Sequence, residues 1–299
     1  MQVSVALRRS AAAFAAATTL ILSGAPAPAL ASQVPVNYVN LGDSYSSGWG
    51  AFAPTFAVNP VGGTPACLTG GRADVAMFAQ LKSVALAGDY ACGGATVGPT
   101  TSGIPTIAQQ AVKAVADGAL GSTTGLVTLT AGGNDVDFGP IIAACAADTS
   151  PQATGCQTAA AHGLRVAEDI YVAGTVGTIR GFAEKAQIVW LGYPHLFATA
   201  GESTTVVAGG GVMSAAAAAV FDKVTDQLNA LLASKAQSAG AQFVDVTPKF
   251  VGHEIGSSDS WFNLGPYALF NFHPTAKGYS EGYYPAMVSG IKPARLARS

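Results

Sequence analysis

Short apolar runs alternate with longer amphipathic stretches along most of the chain. VNYVNL at 36–41, LVTLT at 126–130, IVWLG at 188–192 and FVDVT at 243–247 read as buried parallel strands, and a shorter one, DYA at 89–91, precedes Cys92. Between them the spacing of apolar residues predicts helices over 73–87, 107–116, 162–183 and 214–238. In the last, Val220, Val224, Leu228, Leu231 and Leu232 recur on one face, the pattern of a helix packed on a core. Strand then helix, repeated, predicts right-handed crossovers and a parallel sheet covered on both faces, an α/β fold. Ligands of such sheets bind beyond the carboxyl ends of the strands, so the loops that follow strands are the places to look for chemistry.

The first 31 residues break the alternation. Arg8 and Arg9, an apolar stretch from Ser10 to Leu22, Pro26 and Pro28, then Ala29-Leu30-Ala31 read as a secretion signal cleaved after Ala31. A membrane span needs about 20 apolar residues, which makes a retained anchor the weaker reading; no stable membrane insertion is expected. Residues 32–299 are read as a single domain, since they hold no repeat and no linker-like run. Loss of the two signal arginines takes the basic residues from 15 to 13 against 17 acidic, a net charge near −4. That balance suits no phosphate backbone, so no nucleic-acid partner is expected. All four cysteines follow the signal, an even set suited to an oxidising compartment, and their spacing suggests the pairs Cys67–Cys92 and Cys145–Cys156. With no C-x-x-C and no histidine at ligand spacing nearby, a metal site is the lesser alternative.

Three loops after strands carry unusual residues. GDSYSSG at 42–48 places Ser44 where a strand gives way to turn-forming residues, exposing its hydroxyl at the sheet edge or using it as a helix cap. In CGGAT at 92–96, paired glycines allow a backbone to approach a ligand closely, or simply make a turn. AGGND at 131–135 offers the Asn134 amide as a donor to the same space, or a turn asparagine. Near the C-terminus, FNFHPTAKGY at 270–279 holds His273 in a His-Pro pair that blocks a helix through the histidine, and Thr275 is placed to cap a helix starting at Ala276. His162, His195 and His253 lack this context. His195, in GYPHLF after a strand, is the reserve base, and His253 is read as structural. The G-x-S-x-G elbow is absent because position 46 is serine; no dinucleotide or phosphate-loop fingerprint occurs, and no cofactor is expected.

Taken in this order, GDSYSSG, the glycine loop, GGND and HPTAKGY resemble the SGNH hydrolases, the GDSL esterase and lipase family, and in particular its secreted actinobacterial members. The resemblance covers nearly all of residues 32–299. It implies a three-layer α/β/α sandwich of flavodoxin-like type, with Ser44 as nucleophile and His273 as base. It also implies an oxyanion hole from the Ser44 N–H, Gly94 and Asn134. The chemistry agrees: serine needs a base within hydrogen-bond reach, and donors already aimed at the carbonyl oxygen stabilise the charge that forms there.

The family's aspartate, three residues before the histidine, is replaced by Phe270. Three groups are left to orient His273, taken in this order: a backbone carbonyl of Phe270 or Asn271, Asp259 folding back from its loop, and the Asn271 amide. WFNLGPYALFNF at 261–272 is either an acyl groove or packing under the last helix, and 197–213 either a flap over the site or a surface loop. The expected activity is that of a secreted, monomeric serine esterase or lipase acting on small-molecule or lipid esters through an acyl-enzyme. A polysaccharide deacetylase and a non-catalytic envelope binding protein are the alternatives.

Overall fold

The structure of the chain is a computed structural model that describes residues 34–51, 57–59, 67–69, 73–100, 102–199, 205–207, 211–265 and 270–297. Contacts divide the chain into Met1–Ser32 and Gln33–Ser299; the expected signal sequence lies outside the described residues. In chain order the elements are β1 (Val36–Asn40), β2 (Ala57–Asn59), β3 (Cys67–Thr69), α1 (Asp74–Ala79), β4 (Val84–Asp89), α2 (Ile107–Ala116), β5 (Thr124–Leu129), α3 (Phe138–Ala147), α4 (Thr154–Glu168), α5 (Val172–Phe182) and β6 (Gln187–Leu191). There follow β7 (Thr205–Val207), β8 (Gly211–Met213), α6 (Ala215–Ser238), β9 (Gln242–Val244), α7 (Thr247–Phe250), a π-helical turn at Gly278–Tyr283, α8 (Tyr284–Ile291) and α9 (Pro293–Leu296).

Five strands form one parallel sheet in the order β4-β1-β5-β6-β9, while β2–β3 and β7–β8 are separate antiparallel ribbons. Helix α1 packs with α8, and α5 packs with both α2 and α6, so helices flank the sheet as the three-layer sandwich requires. The apolar strand runs supply the core: Tyr38, Val39, Leu126, Val127, Leu129, Val189 and Trp190 are all fully buried. Each such side chain contributes about 1.5–3 kcal/mol through burial. On α6, Val224, Leu228 and Leu232 are buried, and Val220 and Leu231 pack against the core from the edge of the same face.

Three boundaries differ from the sequence reading. The helix expected over 73–87 stops at Ala79, and Val84–Asp89 is an edge strand paired with β1, which also displaces the short strand expected at 89–91. VALAGD has an alanine-rich, helix-compatible composition; pairing with β1 satisfies its backbone and overrides that weak preference. The helix expected over 162–183 is two, α4 and α5. The Lys235 ammonium donates to the carbonyls of Glu168 (2.6 Å) and Ile170 (3.0 Å), satisfying the end of α4 and fixing the break. Helix α3 was not foreseen. Cys145 at its end is bonded to Cys156 of α4 as expected. Cys92 is also disulfide-bonded, but the side chain of its expected partner Cys67 lies outside the described residues.

Candidate active site

The loops at 42–48, 92–96 and 131–135 follow β1, β4 and β5, three adjacent strands with β1 in the middle, so they converge at one edge of the sheet. Gly42 is what lets the chain turn there. Its φ is +129°, and a Cβ would lie 2.5 Å from Ser46 Oγ and 2.8 Å from the Thr130 carbonyl. The buried Gln110 side chain of α2 holds Gly42 at both ends, accepting from its N–H at 2.8 Å and donating to its carbonyl at 2.9 Å. Residues 44–50 form consecutive turns rather than a regular helix, with the Ser47 N–H on the Asp43 carbonyl and the Trp49 N–H on the Ser44 carbonyl. Ser44 is thus held on a tight turn, largely buried and facing the converging loops.

His273 meets it there. His273 Nε2 lies 2.8 Å from Ser44 Oγ, and His273 Nδ1 lies 3.0 Å from the Asn271 carbonyl oxygen. A carbonyl only accepts, so Nδ1 carries the proton and Nε2 is left bare to accept from the serine hydroxyl. Burial pulls the His273 pKa down to about 4, against smaller opposing contributions from the Asn271 and Phe270 carbonyls. The imidazole is therefore neutral at ordinary pH.

The other two groups considered as orienters are engaged elsewhere. Asp259 is exposed and accepts from the Lys277 ammonium at 2.8 and 3.0 Å and from the Trp261 indole at 3.3 Å. The oxygen of the Asn271 amide accepts from the Gly265 N–H at 2.9 Å, which turns that amide toward 265 rather than toward the imidazole. The Phe270 carbonyl takes the backbone N–H of His273 at 3.2 Å. His195 pairs with Asp226 at 2.7 Å, and His253 stacks on Trp261 at 3.6 Å. Thr275 caps the helical segment that begins at Ala276, accepting from the Gly278 N–H at 3.3 Å.

The N–H groups of Ser44 and Gly94 make no hydrogen bond among the described residues. Gly94 has φ +84°, and a Cβ there would stand 2.7 Å from Ile104 Cδ1. The Asn134 amide donates to the Ala95 carbonyl at 2.9 Å, which leaves its second hydrogen for another acceptor. Its neighbour Asp135 accepts from the N–H groups of Val97 and Gly98, fastening the 95–98 loop to the 131–135 loop.

Sequence reasoning missed what lies beneath and beside the pair. The Asp43 carboxylate is buried under Ser44 and accepts from Thr130 Oγ1, the Tyr193 hydroxyl and the Tyr45 N–H. Burial raises its pKa to about 6, and these donors restrain the rise. The Tyr193 hydroxyl also accepts from the Gly133 N–H at 3.0 Å, so one phenol ties the serine loop to the asparagine loop. Beside the pair is a pocket of about 160 Å³ whose apolar wall includes Phe138 and Ile142 of α3 with Leu196 and Phe272. Gly94 is not among its lining residues. Among the described residues of the aromatic segment 261–272, Asn271 and Phe272 reach this pocket, whereas Trp261 and Phe262 pack on Phe250 and Phe270 on Trp49. Of 197–213, residues 200–204 and 208–210 lie outside those described, and 205–207 with 211–213 form the β7–β8 ribbon.

A family model described as GDSL-like Lipase/Acylhydrolase matches residues 41–280, which spans all four motifs. The chain belongs to this family. It is 30% identical over 281 residues to Lipase 1 of Streptomyces coelicolor, covering 91% of this chain and 93% of that one. The extracellular lipase of Streptomyces rimosus is similar in structure, with a TM-score of 0.67 and 28% identity over 85% of this chain and 99% of its own. Phospholipase A1 of Streptomyces albidoflavus gives a TM-score of 0.68 at 28% identity, covering 86% and 100%. As a GDSL-like acylhydrolase, the protein is a carboxylic ester hydrolase.

Proposed function

We propose that the protein is an exported, monomeric serine esterase or lipase in which Ser44 attacks the ester carbonyl, His273 takes the serine proton, and the Asn271 carbonyl orients His273. The observation that carries this reading is the aligned chain Ser44 Oγ, His273 Nε2, His273 Nδ1, Asn271 carbonyl, with contacts of 2.8 and 3.0 Å. In the first half-reaction Ser44 Oγ bonds to the acyl carbon, its proton passes to Nε2, and the alcohol leaves with that proton. Water then repeats the sequence and releases the acid. The carbonyl oxygen of the substrate gathers negative charge in both halves, and the free N–H groups of Ser44 and Gly94 with the spare Asn134 hydrogen are its donors. The pocket walled by Phe138, Ile142, Leu196 and Phe272 favours a hydrocarbon acyl chain over a sugar, so lipid esters, phospholipids included, are the favoured substrates and polysaccharide deacetylation is not. Residues 1–31 would direct export and be removed after Ala31, leaving one catalytic domain, as suits relatives that include an extracellular lipase.

A fluorophosphonate probe tests this directly. Labelling should map to Ser44, vanish in Ser44→Ala and fall sharply in His273→Gln; a folded wild-type protein that resists the probe defeats the proposal. An acyl-length series of p-nitrophenyl esters then reads how much chain the pocket accepts.

A further inference from the structure

We infer that Tyr45 is a positioning residue, whose hydroxyl holds the backbone at Phe272 in the left-handed turn that aims the Asn271 carbonyl at His273. The inference rests on the reading of Ser44 and His273 as nucleophile and base.

The acceptor on His273 Nδ1 is a peptide oxygen only two residues earlier in the same segment. Bringing that oxygen round to face the imidazole requires a sharp reversal at the residue between them. Phe272 supplies it with φ +68°, one of four non-glycine residues at positive φ among those described. A bulky L residue holds that conformation only when its surroundings over-determine it. They do so here. The Phe272 N–H donates to the Asn263 carbonyl at 3.0 Å, and the Phe272 carbonyl accepts from the Tyr45 hydroxyl at 2.6 Å. Asn263 fastens the outer side of the same loop, its N–H on the His273 carbonyl at 2.9 Å and its amide on the carbonyls of His273 and Pro274. Tyr45 fastens the side that faces the serine.

Its position in sequence adds to the argument. Tyr45 follows Ser44 directly, so one turn presents the serine hydroxyl to Nε2 and the phenol to the peptide that sets Nδ1. The Tyr45 ring lies 5.2 Å from the His273 ring and is itself braced edge-on by Tyr193 at 5.3 Å. A carboxylate orienter imposes direction on an imidazole by charge. A peptide carbonyl has only its geometry to offer, and that geometry depends on the phenol.

Tyr45→Phe keeps the ring and removes the bond. Against a p-nitrophenyl ester its kcat is expected to fall between about tenfold and 10²-fold with KM nearly unchanged, the size of loss a displaced catalytic group brings. The His273 Nδ1–H resonance should broaden or vanish. Glycine takes positive φ freely, so adding Tyr45→Phe to Phe272→Gly should cost less than about threefold in kcat and restore that resonance. Tyr283→Phe removes another buried phenol hydroxyl, bonded to the Gly192 carbonyl; it controls for a loss of packing and should lower Tm without this coupling. Full kcat in Tyr45→Phe overturns the inference. So does a loss that is equal in both backgrounds, or a failure of both Tyr45 variants to fold. A wild-type protein that Ser44-directed fluorophosphonate does not label sinks instead the reading of the site on which the inference stands.

Discussion

Lowering the pH should leave kcat/KM intact far below the range in which a histidine base ordinarily loses its function. As the proposed base His273 would act only when neutral, and burial beside a carbonyl rather than a carboxylate brings its pKa from 6.5 to about 4. That displacement is worth roughly 3 kcal/mol against the imidazolium. The limb that belongs to His273 should therefore leave the rate unchanged through pH 5 and halve it near 4. Asp43, directly under Ser44 with its pKa raised to about 6, adds a second and smaller inflection there. The two are separated by following the His273 Cε1–H signal, which His273→Gln removes, alongside the rate. Folding must be checked across the same window, and the sign is fixed. Between 6.5 and 4 the unfolded chain binds a proton that folded His273 does not, so the contribution of His273 to stability falls as pH drops, opposite in sign to those of the buried carboxyls whose pKa values are raised. Phe270→Asp supplies the missing converse, since a carboxylate about 4 Å away attracts an imidazolium by about 4 kcal/mol at an effective dielectric of 20. The acid limb should then move up toward 6. A wild-type limb at or above 6.5 that tracks the His273 signal would mean that an anion stabilises the imidazolium, and the carbonyl account would be refuted.

Asn134→Ala should lower kcat by about 10²- to 10³-fold at nearly constant KM, as expected for one oxyanion donor, with initial rates on a soluble ester as the check. Asn271→Ala and Asp259→Ala should each keep kcat/KM within about threefold, because alanine retains the carbonyl and Asp259 is bonded to Lys277; a collapse in either contradicts the assignment. Reducing Cys145–Cys156, which closes a separation of 11 residues, should cost about 3 kcal/mol of stability by loop entropy, read by denaturant titration. Asp74 is buried with its pKa raised to about 8 by desolvation, and its Oδ1 has no partner among the described residues. The folded state thus keeps a proton that the unfolded state releases above about pH 4, stability declines from there toward 8, and Asp74→Asn should flatten Tm over that span.

The parts of the site that were legible in the sequence are those where the backbone demands a particular residue. Gly42 and Gly94 take positive φ, and at Gly42 a Cβ would also meet the Thr130 carbonyl; such positions punctuate a sequence visibly. Helix α2 spans the residues its apolar spacing predicts, and Thr106 and Gln109 form a reciprocal cap at its start. Helix α3 was invisible because FGPIIAACAA is apolar all round and shows no 3.6-residue period. With it went Phe138 and Ile142, and so the pocket wall. The orienter of His273 could be narrowed but not named, since a main-chain carbonyl leaves no side-chain signature. Asp43 stood in plain view in GDSYSSG, yet its burial under Ser44 depends on Tyr193 and Thr130, which come from β-strand ends 87 or more residues away.

Four phenols surround the serine loop: Tyr45, Tyr193, Tyr279 and Tyr283, with hydroxyls on the Phe272 carbonyl, Asp43, the Trp49 carbonyl and the Gly192 carbonyl. Burial drives the pKa of each far above 10. Burial thus disfavours ionisation of all four while the loops stay folded, so in rising alkali their phenolate absorbance is expected as the loops part. The enzyme thereby carries its own optical gauge, one that reports the integrity of the catalytic end of the sheet without any added dye.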